Sequence, residues 1–140
     1  MPLSEFRLQR RVQFHETDAA GIVHFSWFFR YLEEAEHALW REAGLSIHPP
    51  DSEIGWPRVA ASFEFRRPLH FEDEFEIQLR IAEMTARTMR YTGSIVQGDT
   101  TIATGELTIS CVRKRPNEQM KSIDIPADIA GRFAPYRAEG

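Results

Sequence analysis

A short segment near the N-terminus combines a carboxylate, a glycine and the start of a predicted helix. Residues 14–25 read Phe-His-Glu-Thr-Asp-Ala-Ala-Gly-Ile-Val-His-Phe, which places Asp18 and Gly21 in a loop. The glycine lets the backbone bend where a side chain is disfavoured, and the first amides of the following helix have no helical partners. A carbonyl held at those amides gains oxyanion stabilisation, while a nearby carboxylate attacks it or activates water. The segment therefore holds the groups that acyl transfer requires.

Two residues of this segment have a second interpretation. Aspartate is common in strand-to-helix loops, where its carboxylate accepts hydrogen bonds from the backbone of a turn or a helix start. Asp18 is therefore either catalytic or a turn residue. His24 either contacts a substrate or packs beside the helix start.

Other common catalytic and metal-binding motifs are absent from the sequence. It has no glycine-rich phosphate loop, no cysteine pair at metal-ligand spacing and no Gly-x-Ser-x-Gly nucleophile motif. None of the histidines has the spacing of a helical zinc pair; they are His15, His24, His37, His48 and His70. We therefore predict no metal site.

The elements that position the segment follow from hydrophobic periodicity. Five segments alternate apolar and polar residues or are broadly apolar, which predicts strands at 6–14, 59–65, 74–81, 88–97 and 101–113. Between the first two, an apolar stripe at helical spacing predicts one long helix from the N-cap Ser26 to about Ala43, ended by Gly44. Strand, helix and then four strands predict an α+β domain with an antiparallel sheet, spanning residues 1–140. We expect the tail at 123–128 to pack loosely and 132–140 to fray.

Composition limits the classes of partner and location. With 42% hydrophobic and 27% charged residues the chain is typical of a globular protein. Its net charge of −4 argues against nucleic-acid binding. No apolar run is long enough for a membrane span or a signal peptide, and the single Cys111 has no partner for a disulfide within the chain. We therefore expect a cytoplasmic protein.

The segment resembles the active-site region of hotdog-fold thioesterases of the 4-hydroxybenzoyl-CoA thioesterase type, which include the acyl-CoA thioesterases of the Tol–Pal cluster. Their pattern is a strand, Asp-Thr-Asp or Asp-Cys-Asp, two small residues, glycine, two aliphatic residues and aromatic or histidine positions. Residues 16–25 here read Glu-Thr-Asp-Ala-Ala-Gly-Ile-Val-His-Phe. The helix, the strand order and the Ile-Pro-Ala-Asp at 125–128 are also similar, so the resemblance covers nearly the whole chain.

This resemblance implies a hotdog fold, in which a five-stranded antiparallel sheet wraps one long helix. It also implies a homodimer, or a tetramer, with active sites at the subunit interface. The substrate would be an acyl-coenzyme A, hydrolysed without a metal or an organic cofactor because coenzyme A is part of the substrate. Asp18 matches the catalytic aspartate, as nucleophile or general base; Phe25 matches the residue whose backbone N–H points at the thioester oxygen; and Gly21 matches the glycine of the turn.

Two further segments are candidates for binding coenzyme A. Arg87 and Thr88 match a family position where a basic residue meets the phosphates and a hydroxyl lies near the reacting centre. The cluster Arg113, Lys114 and Arg115 is either a solvated strand end or a second site for those phosphates.

Departures from the family pattern leave alternatives open. Tol–Pal members carry Tyr-His, and aroyl-CoA enzymes two aromatic residues, where this chain has His24-Phe25. A hotdog hydratase would need an Asp-x-Asn-Pro-x-His run, which is missing. A second thioesterase family in this fold uses a helix glutamate, which keeps Glu36 as an alternative to its simpler reading as a helix-surface charge. A non-catalytic module that binds acyl-CoA or an acyl carrier is the rival from another functional class.

Overall fold

A computed structural model describes residues 1–138, and the last two residues of the predicted 1–140 domain lie outside the described residues. A long helix, α1, spans Ser26–Glu42 and a short one, α2, spans Ala127–Ala130. The strands are β1 Glu5–Arg11, β2 Ile54–Gly55, β3 Arg58–Phe65, β4 Glu74–Met84, β5 Thr88–Gln97, β6 Thr100–Ser110, β7 Val112–Arg113 and β8 Lys121–Ser122.

The five long strands form one antiparallel sheet in the order β1-β4-β5-β6-β3. Four of them follow one another through β3 to β6, while β1 and α1 come first in the chain, as the sequence predicts. This confirms the α+β class with an antiparallel sheet and one long helix. A second, three-stranded sheet of β2, β7 and β8 was not predicted, because strands of two residues are too short to show an alternating pattern.

Helix α1 packs its apolar stripe on one face of the sheet. The stripe is buried as predicted, and its members are Phe28, Tyr31, Leu32, Ala35 and Leu39. Trp40, on a second flank, is also buried, and its Nε1 donates a hydrogen bond to the Tyr91 hydroxyl at 3.0 Å. Helix and sheet approach closely at Gly93 of β5, where a Cβ would lie only 2.2 Å from Cδ1 of Leu32.

Three local expectations need correction. The N-cap of α1 is Phe25 and not Ser26, and it makes no side-chain capping hydrogen bond. Glu36 is fully buried instead of lying on the helix surface, because Arg58 of β3 donates hydrogen bonds to its carboxylate. The tail at 123–128 is not loose throughout, because Ile125 is buried in the core.

The described part of the C-terminal segment is held by the sheet and by the N-terminus. The backbone N–H of Tyr136 donates to Ile81 O at 2.7 Å, and Leu3 exchanges hydrogen bonds with Arg132 and Ala134. The prediction that 132–140 frays is therefore wrong up to Tyr136, and its last two residues lie outside the described residues. Sequence alone missed these contacts because they join chain segments more than fifty residues apart.

Strand β3 forms one edge of the main sheet and is exposed along nearly its whole length. It is apolar for an edge strand: Val59 is 59% and Phe65 is 49% exposed. Exposed apolar edges are templates for pairing with another strand. Among residues 1–138, no helix is long and apolar enough to cross a membrane.

Candidate active site

The segment between β1 and α1 folds into a tight turn around Asp18. The Asp18 N–H donates to Ile22 O and the Gly21 N–H donates to Asp18 O, both at 2.9 Å. Gly21 has a φ of +82°, a conformation that glycine adopts without strain, so the turn requires glycine as predicted. The turn is fastened to the chain after β3, because Val23 N–H donates to Leu69 O at 2.9 Å.

The Asp18 carboxylate is oriented by its own turn. Its Oδ1 accepts a hydrogen bond from the Ala20 N–H at 2.8 Å. Its Oδ2 accepts none from residues 1–138. One carboxylate oxygen is thus fixed to the backbone and the second is free to accept a proton or to attack an electrophile.

The backbone N–H of Phe25 is a free donor at the start of α1. Within residues 1–138 it donates to no acceptor, whereas the neighbouring N–H groups of His24 and Trp27 donate to Glu16 O and His24 O. The partial positive charge of the helix N-terminus adds to its donor strength. The Phe25 ring itself is 60% exposed.

Asp18 and Phe25 open onto the same cleft, which has a volume of about 460 Å³. Its wall is mainly apolar and aromatic, with two arginines from the chain after β3. The lining residues are Asp18, Ile22, Val23, Phe25, Phe28, Phe65, Arg66, Arg67 and Pro68. The cleft is therefore lined by the residue that carries a free carboxylate oxygen, by the residue that carries an unpaired amide donor and by an apolar surface, and acyl transfer needs groups of these kinds.

The buried carboxylate of Glu16 stabilises the segment that leads into the Asp18 turn. Glu16 is fully buried, and its carboxylate accepts hydrogen bonds from Arg10, from the Gln13 N–H at 2.8 Å and from the Tyr31 hydroxyl at 2.9 Å. Arg10 is held in turn by a bidentate contact to Glu34 at 2.7 and 3.0 Å. Glu16 thus ties β1 and α1 to the residues just before Asp18.

The electrostatics of this network follow from burial and pairing. Burial works to raise the pKa of Glu16, but the hydrogen bonds from Arg10, the Gln13 amide and Tyr31 outweigh it, so the pKa lies below its ordinary value. Burial, together with donation to the Glu16 carboxylate, raises the pKa of Tyr31. Glu16 is therefore an ionised acceptor and Tyr31 a neutral donor at neutral pH.

His24 lies beside the helix start and not on the cleft wall. Its Nδ1 accepts a hydrogen bond from the Ser26 N–H at 3.3 Å and lies 2.8 Å from Ser26 Oγ. The imidazole thus accepts a hydrogen bond from the first N–H of α1, from a position just before the N-cap Phe25. A direct contact of His24 with the substrate stays a prediction.

The remaining predicted site residues lie at the opposite end of the sheet. Thr88 pairs with Ser110 near the Arg58 end of β3, whereas the Asp18 turn is fastened near its Phe65 end. Strands of this length separate the two ends by ~25 Å. One protomer therefore does not bring these residues to Asp18; they are Arg87, Thr88, Arg113, Lys114 and Arg115.

Some of these distant side chains have partners within the protomer. The Thr88 hydroxyl lies 2.6 Å from that of Thr85, in the turn between β4 and β5. Arg87 Nε donates to Asp124 and Arg115 Nε donates to Glu53, at 2.9 and 3.0 Å. Both ion pairs are solvent-exposed, so they are weak enough to exchange for a phosphate.

Among residues 1–138, one group of potential metal ligands lies close together: Glu33, Glu36 and His37 on α1. Arg58 already forms ion pairs with both glutamates. Burial raises the pKa of Glu36 even though Arg58 works to lower it. The geometry favours an internal ion pair here, and the absence of a metal site stays a prediction.

A family model described as thioesterase-like superfamily matches residues 12–133. The chain belongs to the thioesterase-like superfamily. Its matched region starts at the end of β1 and includes the Asp18 turn, α1 and all the later strands. The predicted family relationship is thus confirmed.

Individual members of the thioesterase-like superfamily resemble the chain over different lengths. The acyl-CoA thioester hydrolase YbgC of Escherichia coli O6:H1 (strain CFT073) is 27% identical over 130 residues, which are 91% of this chain and 95% of that protein. A 1,4-dihydroxy-2-naphthoyl-CoA hydrolase of Synechococcus sp. (strain CC9311) is 41% identical over 90 residues, 56% of this chain and 59% of that relative. A gentisyl-coenzyme A thioesterase of known structure is 28% identical with a TM-score of 0.78, covering 91% of this chain and 99% of that one.

Sequence reasoning missed several residues of the cleft. Phe65 ends a predicted strand that begins more than forty residues after Asp18, and Arg66, Arg67 and Pro68 follow it. Proline disfavours the continuation of a strand, so Pro68 is consistent with a strand end there, but a strand end does not specify which loop it contacts. The antiparallel bridge of Ile22 with His70 supplies that link, and a local pattern does not encode it.

Proposed function

We propose that this chain is a thioesterase that hydrolyses an acyl- or aroyl-coenzyme A. The observation that carries the proposal is the cleft shared by the Asp18 carboxylate and the unpaired Phe25 N–H. Membership of the thioesterase-like superfamily supports it, as do relatives named as hydrolases of acyl-CoA, 1,4-dihydroxy-2-naphthoyl-CoA and gentisyl-coenzyme A.

The reaction converts R–CO–S–CoA and water to a carboxylic acid and free coenzyme A. The Phe25 N–H donates a hydrogen bond to the thioester oxygen, which becomes an oxyanion when the carbonyl carbon is attacked. As general base, Asp18 takes a proton from water, the hydroxide adds to the carbon, the C–S bond breaks and the thiolate receives that proton. As nucleophile, Asp18 adds directly, releases the thiolate and forms an anhydride that water then hydrolyses.

The wall of the cleft supports an aromatic or medium-sized acyl group. Phe25, Phe28 and Phe65 all line it, and aromatic rings stack favourably on one another. Its volume of about 460 Å³ lies within the usual range of small-molecule pockets. Two of the relatives described above are named for aromatic acyl groups.

The active unit in this proposal is a homodimer joined through β3. Antiparallel pairing of β3 with the same strand of a second copy would place the Arg58 end of one protomer beside the Phe65 end of the other. Thr88 and the cluster at 113–115 of one copy would then approach Asp18 of the other. The exposed apolar side chains of β3 support this pairing.

The proposal is tested by thiol release from a panel of thioesters by the wild type and Asp18→Asn. The panel contains benzoyl-, hydroxybenzoyl-, phenylacetyl-, short-chain and long-chain acyl-CoA. Asparagine keeps the shape of the side chain and can still accept the Ala20 hydrogen bond. We expect a loss of ~10²-fold or more for the variant, since it can neither take a proton nor attack.

Each result has a distinct meaning. Equal thiol release by both proteins would show that Asp18 is a turn residue and that its catalytic assignment is wrong. Binding of acyl-CoA without turnover of any thioester would favour a non-catalytic module that binds acyl-CoA or an acyl carrier.

A further inference from the structure

Two consecutive arginines line the cleft that holds Asp18. Arg66 and Arg67 follow β3, and both of their backbone N–H groups donate to Ile102 O, at 2.9 and 3.1 Å. The shared acceptor fixes the backbone of the pair at the end of the sheet. Their side chains form one part of the cleft wall next to Phe65 and Pro68.

The guanidinium groups of Arg66 and Arg67 have no charged partner within the described part of the protomer. Within residues 1–138, neither guanidinium forms an ion pair or a hydrogen bond. Other arginines of the chain bind carboxylates: Arg10 binds Glu16 and Glu34, and Arg58 binds Glu33 and Glu36. Among residues 1–138, Asp18 is the only acidic residue that lines the cleft, so the described part of its wall carries a net positive charge.

We propose that Arg66 and Arg67 bind an oxyanion of the substrate, an inference that rests on the proposed thioesterase function. A guanidinium presents a planar set of donors that matches the two oxygens of a carboxylate or a phosphate. Two parts of a coenzyme A thioester supply such a group: a carboxylate on the acyl moiety, or the phosphates of coenzyme A. The pair selects substrates through this charge, whereas the aromatic wall selects through shape.

The position of the pair favours binding over catalysis. In the proposed reaction Asp18 and the Phe25 amide account for the attack and for the oxyanion, and both arginines are solvent-exposed residues of the cleft wall. A group that binds the substrate equally in the ground and transition states changes KM and leaves kcat unchanged. Attraction of this kind also weakens as salt is added, because ions screen exposed charges.

The test compares the wild type with the double variant Arg66→Gln/Arg67→Gln. Arg41→Gln is the matched control, since Arg41 is also exposed but lies in the last turn of α1, outside the cleft. Kinetics are measured with benzoyl-CoA, 4-carboxybenzoyl-CoA and the N-acetylcysteamine thioesters of both acids. Binding of free coenzyme A and of 1,4-benzenedicarboxylate is measured by calorimetry, which needs no turnover.

We expect KM to rise at least about tenfold in the double variant for the substrates that carry the recognised anion, because hydrogen bonds to charged groups commonly contribute a tenfold step of affinity or more. A rise for both 4-carboxybenzoyl thioesters identifies the acyl carboxylate. A rise for both coenzyme A thioesters, but neither N-acetylcysteamine thioester, identifies the phosphates.

The inference is overturned if the double variant matches Arg41→Gln in KM for all four thioesters and in affinity for both free ligands. It is also overturned if the wild type binds neither ligand. If the wild type hydrolyses no thioester but the double variant alone loses affinity for one ligand, the anion site stands and the thioesterase proposal fails.

Discussion

The Tyr31 hydroxyl of α1 donates a hydrogen bond to Oε1 of Glu16, 2.9 Å away, and so joins the long helix to the chain just before Asp18. The Phe25 amide belongs to the start of that helix and the carboxylate belongs to the turn. Their separation is therefore held by a buried contact that never touches substrate. Glu16 is, in this sense, a positioning residue.

The first prediction concerns Glu16→Gln, which removes the charge but keeps the shape. We expect it to lower the free energy of unfolding by about 2–3 kcal/mol, because hydrogen bonds to a charged group are lost in a buried site. Tyr31→Phe removes one donor and is expected to cost about 1 kcal/mol. Urea unfolding measures both. Glu16→Gln should also lower kcat, and a Glu16→Gln protein no less stable than Tyr31→Phe would contradict this role.

The second prediction concerns acid stability. The pKa of Glu16 is lowered in the fold from its ordinary value of 4.5, so its contribution is fully present above that pH and is lost as pH falls through the folded-state value. The pKa of Glu36 is raised, so its ionised form destabilises the fold at neutral pH, and this cost is relieved as pH falls through the folded-state pKa toward 4.5.

We therefore expect the free energy of unfolding of Glu16→Gln to fall less steeply than that of the wild type as pH is lowered. For Glu36→Gln we expect this fall to begin at higher pH. Urea unfolding between about pH 3 and pH 7 distinguishes the two variants. Parallel pH curves for wild type and Glu16→Gln would show that Glu16 is not the ionised acceptor described here.

The third prediction separates backbone strain from catalysis. Gly21 and Gly98 have φ values of +82° and +60°, and a Cβ at either position would meet no atom within 4 Å. We expect Gly21→Ala and Gly98→Ala each to cost about 1–2 kcal/mol of stability, because the left-handed conformation disfavours a side chain. Only Gly21→Ala should lower kcat, because Gly98 lies in the turn between β5 and β6. Equal thiol-release rates for the two variants would argue against the Asp18 turn as the reaction site.

The fourth prediction tests the dimer through β3. Val59 and Met120 are similarly exposed apolar residues, at 59% and 58%, but only Val59 lies on the free edge of the sheet. Val59→Lys should give a monomer with little activity, because a charged side chain placed beside the Phe65 end of the partner strand opposes pairing of the edges. Met120→Lys should keep the size and activity of the wild type. Light scattering after gel filtration measures the mass of each variant. An unchanged mass for Val59→Lys would contradict the proposed pairing.

Much of the fold could be predicted because its elements have strong periodic patterns. Helix α1 and strands β3 to β6 carry long apolar stripes or alternations, and their positions agree with the predicted ranges. The turn glycine Gly21 was also predictable, since its role is local. The predictions that were wrong concern residues whose environment depends on distant parts of the chain. Examples are the burial of Glu36 beside Arg58 and the packing of Phe133 in the core.

The residues of the candidate site also divide into those that the local sequence predicts and those that depend on distant contacts. Asp18, Gly21 and Phe25 lie within eight residues of one another, so their association could be read from the chain. Arg66 and Arg67 reach the cleft through the bridge of Ile22 with His70 and the hydrogen bond from Val23 to Leu69. A local pattern does not specify that pairing, because it depends on how the sheet closes around the helix.

Gly93 lies in the sheet, away from the candidate site, and packs closely against the helix that begins beside the Phe25 amide. Helix α1 is ~25 Å long. The absence of a side chain at position 93 allows Leu32 to pack directly against the sheet. We expect the clash of a methyl group with Leu32 to shift α1 and the Phe25 amide relative to Asp18, which is fastened to Leu69 through Val23. Gly93→Ala should therefore slow thiol release more than its loss of stability explains, since a displacement near 1 Å can cost ~10²-fold in rate. The geometry proposed for the oxyanion contact therefore depends in part on the close packing of Leu32 against Gly93 at the centre of the sheet.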